Sequence, residues 1–246
     1  MSATVQAVAA SSAFLKGRPD ASAEALTELL FGEEVAVSFR RSDWAEVESR
    51  VDGYKGFLPA AALGDVVAAP THRVMALRSY CYPEPNLKKP PVACLSFLSR
   101  VAPRAERQGF AELATGGWVY AAHLAPLDVN EPDYAATALR FLEVPYLWGG
   151  RTSAGLDCSA LVQLSLAAAG IAAPRDSAPQ RAALGQRILG DAPPRARDLV
   201  FWPGHVGIMA DNENVVHANA HHMAVVLEPL VQTSARVGAQ PEVRRL

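Results

Sequence analysis

The chain has 246 residues, half of them hydrophobic and one-fifth charged, with a formal net charge of −2. This is enough chain for roughly one to three domains with real cores, and the charge lacks the basic excess that draws a protein to nucleic acid or an anionic lipid surface. No apolar run reaches the ~18 residues that suggest a membrane span, so neither nucleic acid nor membrane is expected as a partner.

The N-terminal stretch "MSATVQAVAASSAFLKGRPD" has no basic n-region and no continuous apolar h-region, so it reads poorly as a secretory signal. Cys81, Cys94 and Cys158 are the only cysteines. An odd, sparse set does not make a disulfide framework. A reducing cytoplasmic setting is expected, one that keeps a reactive thiol usable.

The first half is broken by Gly, Pro and charge. "EVAVSF" (34–39), "WAEVES" (44–49) and "GYKGFLP" (53–59) alternate, or nearly so, as half-buried strands do. "ASAEALTELL" is ambiguous between a loop turn and a short helix. A weak repeat runs through this half: "DWAEV…GYKGFLPAAAL" recurs as "GFAEL…GGWVYAAHL". Gly56, Phe57 and Leu63 match Gly117, Trp118 and Leu124 at one offset. Trp44 matches Phe110 at an offset five residues longer, as a shorter hairpin in the second copy predicts. A period of about 60 residues is too long for a solenoid and suits two small barrels in tandem. The alternative is one irregular β domain. "LAPLDVNEPDY" (124–134) then reads as a linker.

From Tyr134 the pattern turns helical. "YAATALRFLEV" gathers Leu139, Phe141, Leu142 and Val144 on one helix, ended by Pro145. A loop rich in glycine, "LWGGRTSAGLD", precedes "CSALVQLSLAAAG", a second helix with Asp157 at its N-cap, Cys158 at its first position and Gly170 at its stop. Cys158 is either an inert core thiol or a nucleophile whose pKa is depressed by the helix N-terminus. "DLVFW", "HVGIMA", "NVVHAN" and "AVVLEP" read as strands separated by turn residues, giving an α+β domain. His205 begins one strand and His217 ends the next. An antiparallel hairpin would bring them nearly opposite, the geometry of a base and its orienter. His221 and His222 compete with His217 for that role. The three His residues lack a helical H-x-x-x-H face, and zinc wants about four ligands. No metal and no cofactor are expected.

Cys, His and His in this order, carried by "YLWGG", "LDCSALVQ", "DLVFW" and "HVGIM", resemble the NlpC/P60 family of cysteine peptidases over about 134–230. "PRDSAPQ" and "HANAHHMAV" resemble its subgroup with N-terminal bacterial SH3 domains, which acts on free murein peptides. The resemblance implies a multidomain chain: two small all-β SH3-like barrels (1–66 and 67–127), then an α+β papain-like catalytic domain (128–246). It implies Cys158 as nucleophile, His205 as general base then acid, His217 as orienter, and Tyr146 as a donor to the oxyanion. It places Asp157 against the substrate ammonium, with Asp176 and Ser177 lining the pocket and Tyr54 of the first barrel helping to close it. From the residues alone, Tyr146 and Tyr54 could equally be core aromatics, Asp157 only an N-cap, and Asp176 and Ser177 only caps of the next segment. Ala160 stands where the family often has Gly, a mild, favourable change on a helix. The implied substrate is a murein tripeptide or tetrapeptide, L-Ala-γ-D-Glu-diamino acid, cleaved after D-Glu. Two other functions fit less of the sequence: a cell-wall binding module with an inert catalytic domain, and a papain-like acyltransferase.

Overall fold

The computed structural model describes residues 4–189 and 192–246. Met1–Ala3, which open both the stretch read for a leader and the first expected barrel, lie outside the described residues. The chain divides into two compact units, Met1–Val129 and Asn130–Leu246.

The N-terminal unit is built from strands and short 3-10 turns. Its first sheet runs in the order Ala25–Leu30, Ser12–Lys16, Lys55–Pro59, Trp44–Ser49, Glu34–Arg41, Thr4–Val8, Leu63–Gly64. Alternation works as the sequence predicts: Val35 and Val37, then Ala45 and Val47, point into a core with Leu15, Leu29 and Leu58. The segment "ASAEALTELL" resolves as a strand, Ala25–Leu30. Its Ala, Glu and Leu favour helix locally. Antiparallel pairing with Ser12–Lys16 and burial of Leu29 and Leu30 outweigh that preference. Glu28, buried with them, accepts a hydrogen bond from Ser12 Oγ at 2.6 Å.

A second core, Val74, Leu95, Val101, Leu113 and Val119 among others, fills the rest of this unit. The internal repeat is real at the level of the backbone. Lys55–Pro59 and Trp118–Tyr120 each lead into a 3-10 turn, Ala60–Ala62 and Ala121–His123. Those turns end at Leu63 (φ −104°, ψ 145°) and Leu124 (φ −106°, ψ 143°). Trp44 pairs with Pro59, 15 residues on, while Phe110 pairs with Tyr120, 10 residues on. The second hairpin is therefore five residues shorter, which accounts for the shifted Trp44–Phe110 match.

In the C-terminal unit we label the helices α1 (Tyr134–Leu139), α2 (Cys158–Ala168), α3 (Ser177–Ala183) and α4 (Leu230–Val237). The main sheet contains β1 (Gln186–Arg187), β2 (Leu199–Trp202), β3 (His205–Met209), β4 (Asn214–Asn219), β5 (Ala224–Pro229) and β6 (Glu242–Arg245), in the order β1-β6-β2-β3-β4-β5 and antiparallel throughout. α1 is shorter than its apolar spacing predicts. After Arg140 the chain leaves the helix, Glu143 takes φ 69°, and its N–H donates to Val225 O while Val225 N–H donates to Val144 O. Pairing with β5 thus replaces the last turn of the expected helix, and Phe141 is still fully buried. α2 follows the sequence reading more closely. Asp157 Oδ1 accepts the Ala160 N–H at 2.8 Å, and Gly170 at φ 77° ends the run. α2 is apolar on nearly all sides and buried along its length, so it can hold Cys158 rigidly beside the sheet.

Candidate active site

The site is assembled from one helix start and one face of the sheet. Cys158 opens α2 and is only 7% exposed. The backbone N–H groups of Val206 and Ser159 act on its sulfur, so the strand that carries His205 runs directly past the thiol. His205 Nε2 lies 2.7 Å from His217 Nδ1, which leaves His205 Nδ1 as the ring nitrogen free for the thiol. Trp202 stacks on the other side of His205, with centroids 5.7 Å apart at 30°.

The two histidines lie nearly opposite, as expected, but two residues out of register. Ile208 pairs with Val216 and Met209 with Val215, so continuing the ladder by one residue sets Gly207 against His217. His205 meets His217 diagonally across that glycine. A Cβ on Gly207 would lie 2.5 Å from Val215 Cγ2 and 3.2 Å from His217 Cβ. Gly207 is therefore the gap that lets the His205 and His217 rings touch.

Behind His217 the polar chain continues. His217 Nε2 lies 2.7 Å from Glu228 Oε1, and Glu228 is clamped by both terminal nitrogens of Arg236 on α4, with Nη1 at 3.0 Å from Oε2. The competing histidines fall elsewhere: His222 touches only the far oxygen of Glu228, at 3.6 Å, and His221 stacks edge-on against His222.

Asp157 is more heavily bonded than a simple cap. Its Oδ1 accepts from Ala160 N, Ser159 Oγ and Arg175 Nη1, and its Oδ2 from Gly149 N and Arg175 Nη2, at 2.7 to 3.1 Å. Arg175 forms a two-pronged ion pair, its side chain 1% exposed. Gln180 Nε2 ties this segment to α2 by donating to Ser159 O and Pro174 O. Asp176 is the N-cap residue of α3 without a side-chain cap bond, while Ser177 lines a groove beside Trp202 with Arg181, Gly204, Glu242 and Arg244. Tyr146 stands near Cys158 and Asp157, whose charges raise its hydroxyl after burial has done so first, up to about 12. Tyr54 belongs to the N-terminal unit, where it packs partly buried against the first core.

The electrostatics correct one expectation. A thiol at a helix start should be depressed, yet burial, followed by the charge of Asp157, pushes Cys158 up to about 11. The Val206 and Ser159 N–H groups and Arg175 pull the other way and lose. Burial and then the His217 and Arg236 charges push His205 down to about 3, with Glu228 opposing. The resting pair is a protonated thiol and a neutral imidazole. Such a pair can work by general-base transfer of a thiol proton to a neutral imidazole as the sulfur attacks.

Sequence reasoning missed Arg175, Gly207, Glu228 and Arg236. Arg175 was visible inside "PRDSAPQ", and strand alternation puts Glu228 on the same face as His217.

The NlpC/P60 family model matches residues 143–235. The C-terminal unit belongs to the NlpC/P60 family. Residues 15–63 match the bacterial dipeptidyl-peptidase Sh3 domain, so an SH3 domain precedes the NlpC/P60 domain. Gamma-D-glutamyl-L-lysine dipeptidyl-peptidase of Bacillus subtilis (strain 168) is 28% identical over 231 residues, 84% of this chain and 76% of that protein. The protein of the same name from Bacillus cereus (strain ATCC 10987 / NRS 248) is 25% identical over 239 residues, 83% and 70% of the two chains. An NlpC/P60 family protein from Bacillus cereus ATCC 10987 shares the fold, with a TM-score of 0.85 at 22% identity over 98% of this chain and 99% of that one. A protein with this pair of domains is, at this level, a cysteine peptidase.

Three outcomes follow from this geometry. Cys158→Ala removes cleavage while circular dichroism stays unchanged, because a small residue fits the helix start. His217→Ala lowers kcat/KM far more than His222→Ala; the reverse order would move the orienter to the turn. Gly207→Ala overpacks the strand contact, costs about 1–3 kcal/mol of stability and slows turnover by prising His217 from His205.

The pH dependence has a definite sign. The folded His205 pKa lies below its ordinary 6.5. Below pH 6.5 the unfolded chain therefore binds a proton that the native site refuses, and stability falls as pH drops toward 3. The base itself stays neutral over the same window. The acid limb of kcat/KM should lie well below 6.5, and a limb at 6.5 in a pH–rate profile would contradict a desolvated His205.

Proposed function

We propose that the chain is an endopeptidase that hydrolyses the γ-D-Glu–diamino acid bond of murein peptides and releases L-Ala-D-Glu, in cytoplasmic cell-wall recycling. The observation that carries this reading is the Cys158–His205–His217 array on an NlpC/P60 domain behind an SH3 domain of the dipeptidyl-peptidase type. The names of the two relatives aligned over most of the chain support the bond. No helix among the described residues is long and apolar enough to cross a membrane. The repeated strand, 3-10 turn and closing Leu support two SH3-like barrels in the N-terminal unit. The helix-borne Cys158 against a sheet bearing both histidines supports a papain-like arrangement.

In the proposed reaction the Cys158 sulfur attacks the γ-carbonyl of D-Glu as His205 takes the thiol proton. His217 holds the imidazolium that forms. Tyr146, kept protonated by its raised pKa, and the Cys158 N–H donate to the developing oxyanion. The tetrahedral centre collapses, the C–N bond breaks, and His205 hands its proton to the departing amine. Water, deprotonated by the same ring, then hydrolyses the thioester and restores the thiol. Ser177 and Asp176 are proposed to contact the dipeptide part.

Asp157 is proposed to meet the free ammonium of L-Ala. Its carboxylate is already neutralised by Arg175, so the ammonium adds to a paired charge instead of rescuing a bare one. Asp157→Asn therefore unbalances Arg175 as well, and breaking such a buried pair costs about 3–5 kcal/mol.

The deciding measurement is kcat/KM on L-Ala-γ-D-Glu-diaminopimelate and on its N-acetylated form, with products weighed by mass spectrometry. The free peptide should be preferred, but by less than the ~30-fold that an unpaired buried carboxylate would impose, because Arg175 keeps Asp157 paired. Equal rates would remove the free-amine requirement, and no Cys158-dependent dipeptide release would remove the reading itself.

A further inference from the structure

The polar chain behind His217 reaches further than a base and an orienter require. Its proton positions can be worked out from the acceptors. Glu228 is met by His217 from β4, by His222 from the following turn, and by Arg236 from α4. Arg236 and His217 hold its carboxyl down at about 2 against burial, so it is ionised at any working pH. An ionised carboxylate only accepts hydrogen bonds. His217 must then carry its ring proton on Nε2, pointing at Glu228. Its Nδ1 is left as an acceptor, so the 2.7 Å contact with His205 Nε2 requires a proton on that nitrogen. His205 Nδ1 is therefore bare and free to take the thiol proton.

One neighbour pulls the other way. Asn219 Nδ2 lies 3.3 Å from His217 Nε2, and Asn219 Oδ1 is fixed by the His222 N–H. A donor there favours the wrong tautomer. The contact with Glu228 is shorter, at 2.7 Å, and charged, so the carboxylate decides.

We propose that Glu228, locked by Arg236, is a positioning residue that sets the tautomers of both His217 and His205 and so gives the base its bare nitrogen. It touches neither substrate nor thiol and acts through His217. The proposal rests on the cysteine-peptidase reading, but its first readout needs no substrate.

The consequence of losing the charge is specific. In Glu228→Gln the side-chain amide can present its NH2 to His217 Nε2, in company with Asn219. The His217 proton then moves to Nδ1, the His205 proton moves to its own Nδ1, and the thiol faces N–H instead of a lone pair. The carboxylate's charge also raises the His205 pKa, so its removal shifts the acid limb of kcat/KM to lower pH while the plateau falls. A merely structural role for Glu228 would move neither the tautomers nor the limb.

The test uses the full-length protein with 15N-labelled histidine. In wild type at pH 7, both rings should show their proton on Nε2. Glu228→Gln should transfer it to Nδ1 in His217 and cut kcat/KM by about 10- to 100-fold, the scale of losing a histidine's outer hydrogen-bond partner. Arg236→Gln, at a half-exposed residue, is the second variant. It leaves Glu228 in place but removes the cation that keeps the carboxyl ionised at low pH, so the carboxyl takes up a proton of its own as pH falls, and the rate loss should be small at pH 8 and grow toward pH 5. Arg236→Lys should restore part of it. A wild-type His217 protonated on Nδ1, or Glu228→Gln with unchanged tautomers and unchanged rate, overturns the proposal. Correct tautomers in a wild type that releases no dipeptide overturn the proposed function and leave this inference standing.

Discussion

Desolvation of a thiol, and of an imidazole on the strand that passes it, governs the architecture of this site. Cys158 and His205 are both taken largely out of water, and burial is the largest influence on each. In such surroundings a charged thiolate–imidazolium pair is hard to sustain at rest, and the neutral pair wins. The charge separation needed for attack must then be stabilised by groups fixed in advance, since solvent cannot reorganise to help.

Two carboxylates stand in the array, one at each end, each clamped by an arginine. Asp157 sits on the thiol side and Glu228 on the histidine side. Their effects are opposite in use. Asp157 makes the thiolate harder to form, and Arg175 offsets it. Glu228 makes the imidazolium easier to form, and Arg236 offsets that in turn. An unpaired carboxylate in either place would dominate the buried pair. With an arginine attached, Asp157 is free to act as helix cap and loop anchor, and Glu228 as a fixed acceptor.

The parts of this arrangement that repeat along the chain were legible in the sequence. Asp157 before a helical apolar run gave the cap, and alternation gave the strands around His205 and His217. The repeat near residues 56–63 and 117–124 survived as a repeated backbone turn. What local patterns left open was decided by distant pairing. Ala25–Leu30 became a strand because Ser12–Lys16 lay ready to pair with it, and α1 lost its last turn to β5. In the site, the pairing of Arg175 with Asp157 and of Arg236 with Glu228 was hidden because a partner 18 or 8 residues away in sequence leaves no spacing signal. The direction of the thiol shift was misread for a related reason. A helix N-terminus is visible in sequence, whereas the depth of burial that opposes it is a property of the assembled fold.

The saturation of Asp157 bears on how a substrate amine would be recognised. A carboxylate offers about four lone-pair sites, and five donors already converge on this one. An arriving ammonium therefore has to share an oxygen with a donor already present. Oδ2 is the open side, with two donors against three on Oδ1. One of those two is Arg175 Nη2, which also reaches Gly150 O at 3.4 Å. That longer contact gives the guanidinium somewhere to lean while it yields part of Oδ2. Recognition of the amine would then be an exchange within a bonded cluster, with little change in the number of hydrogen bonds. Its selectivity would come from the positive charge that an acylated nitrogen lacks.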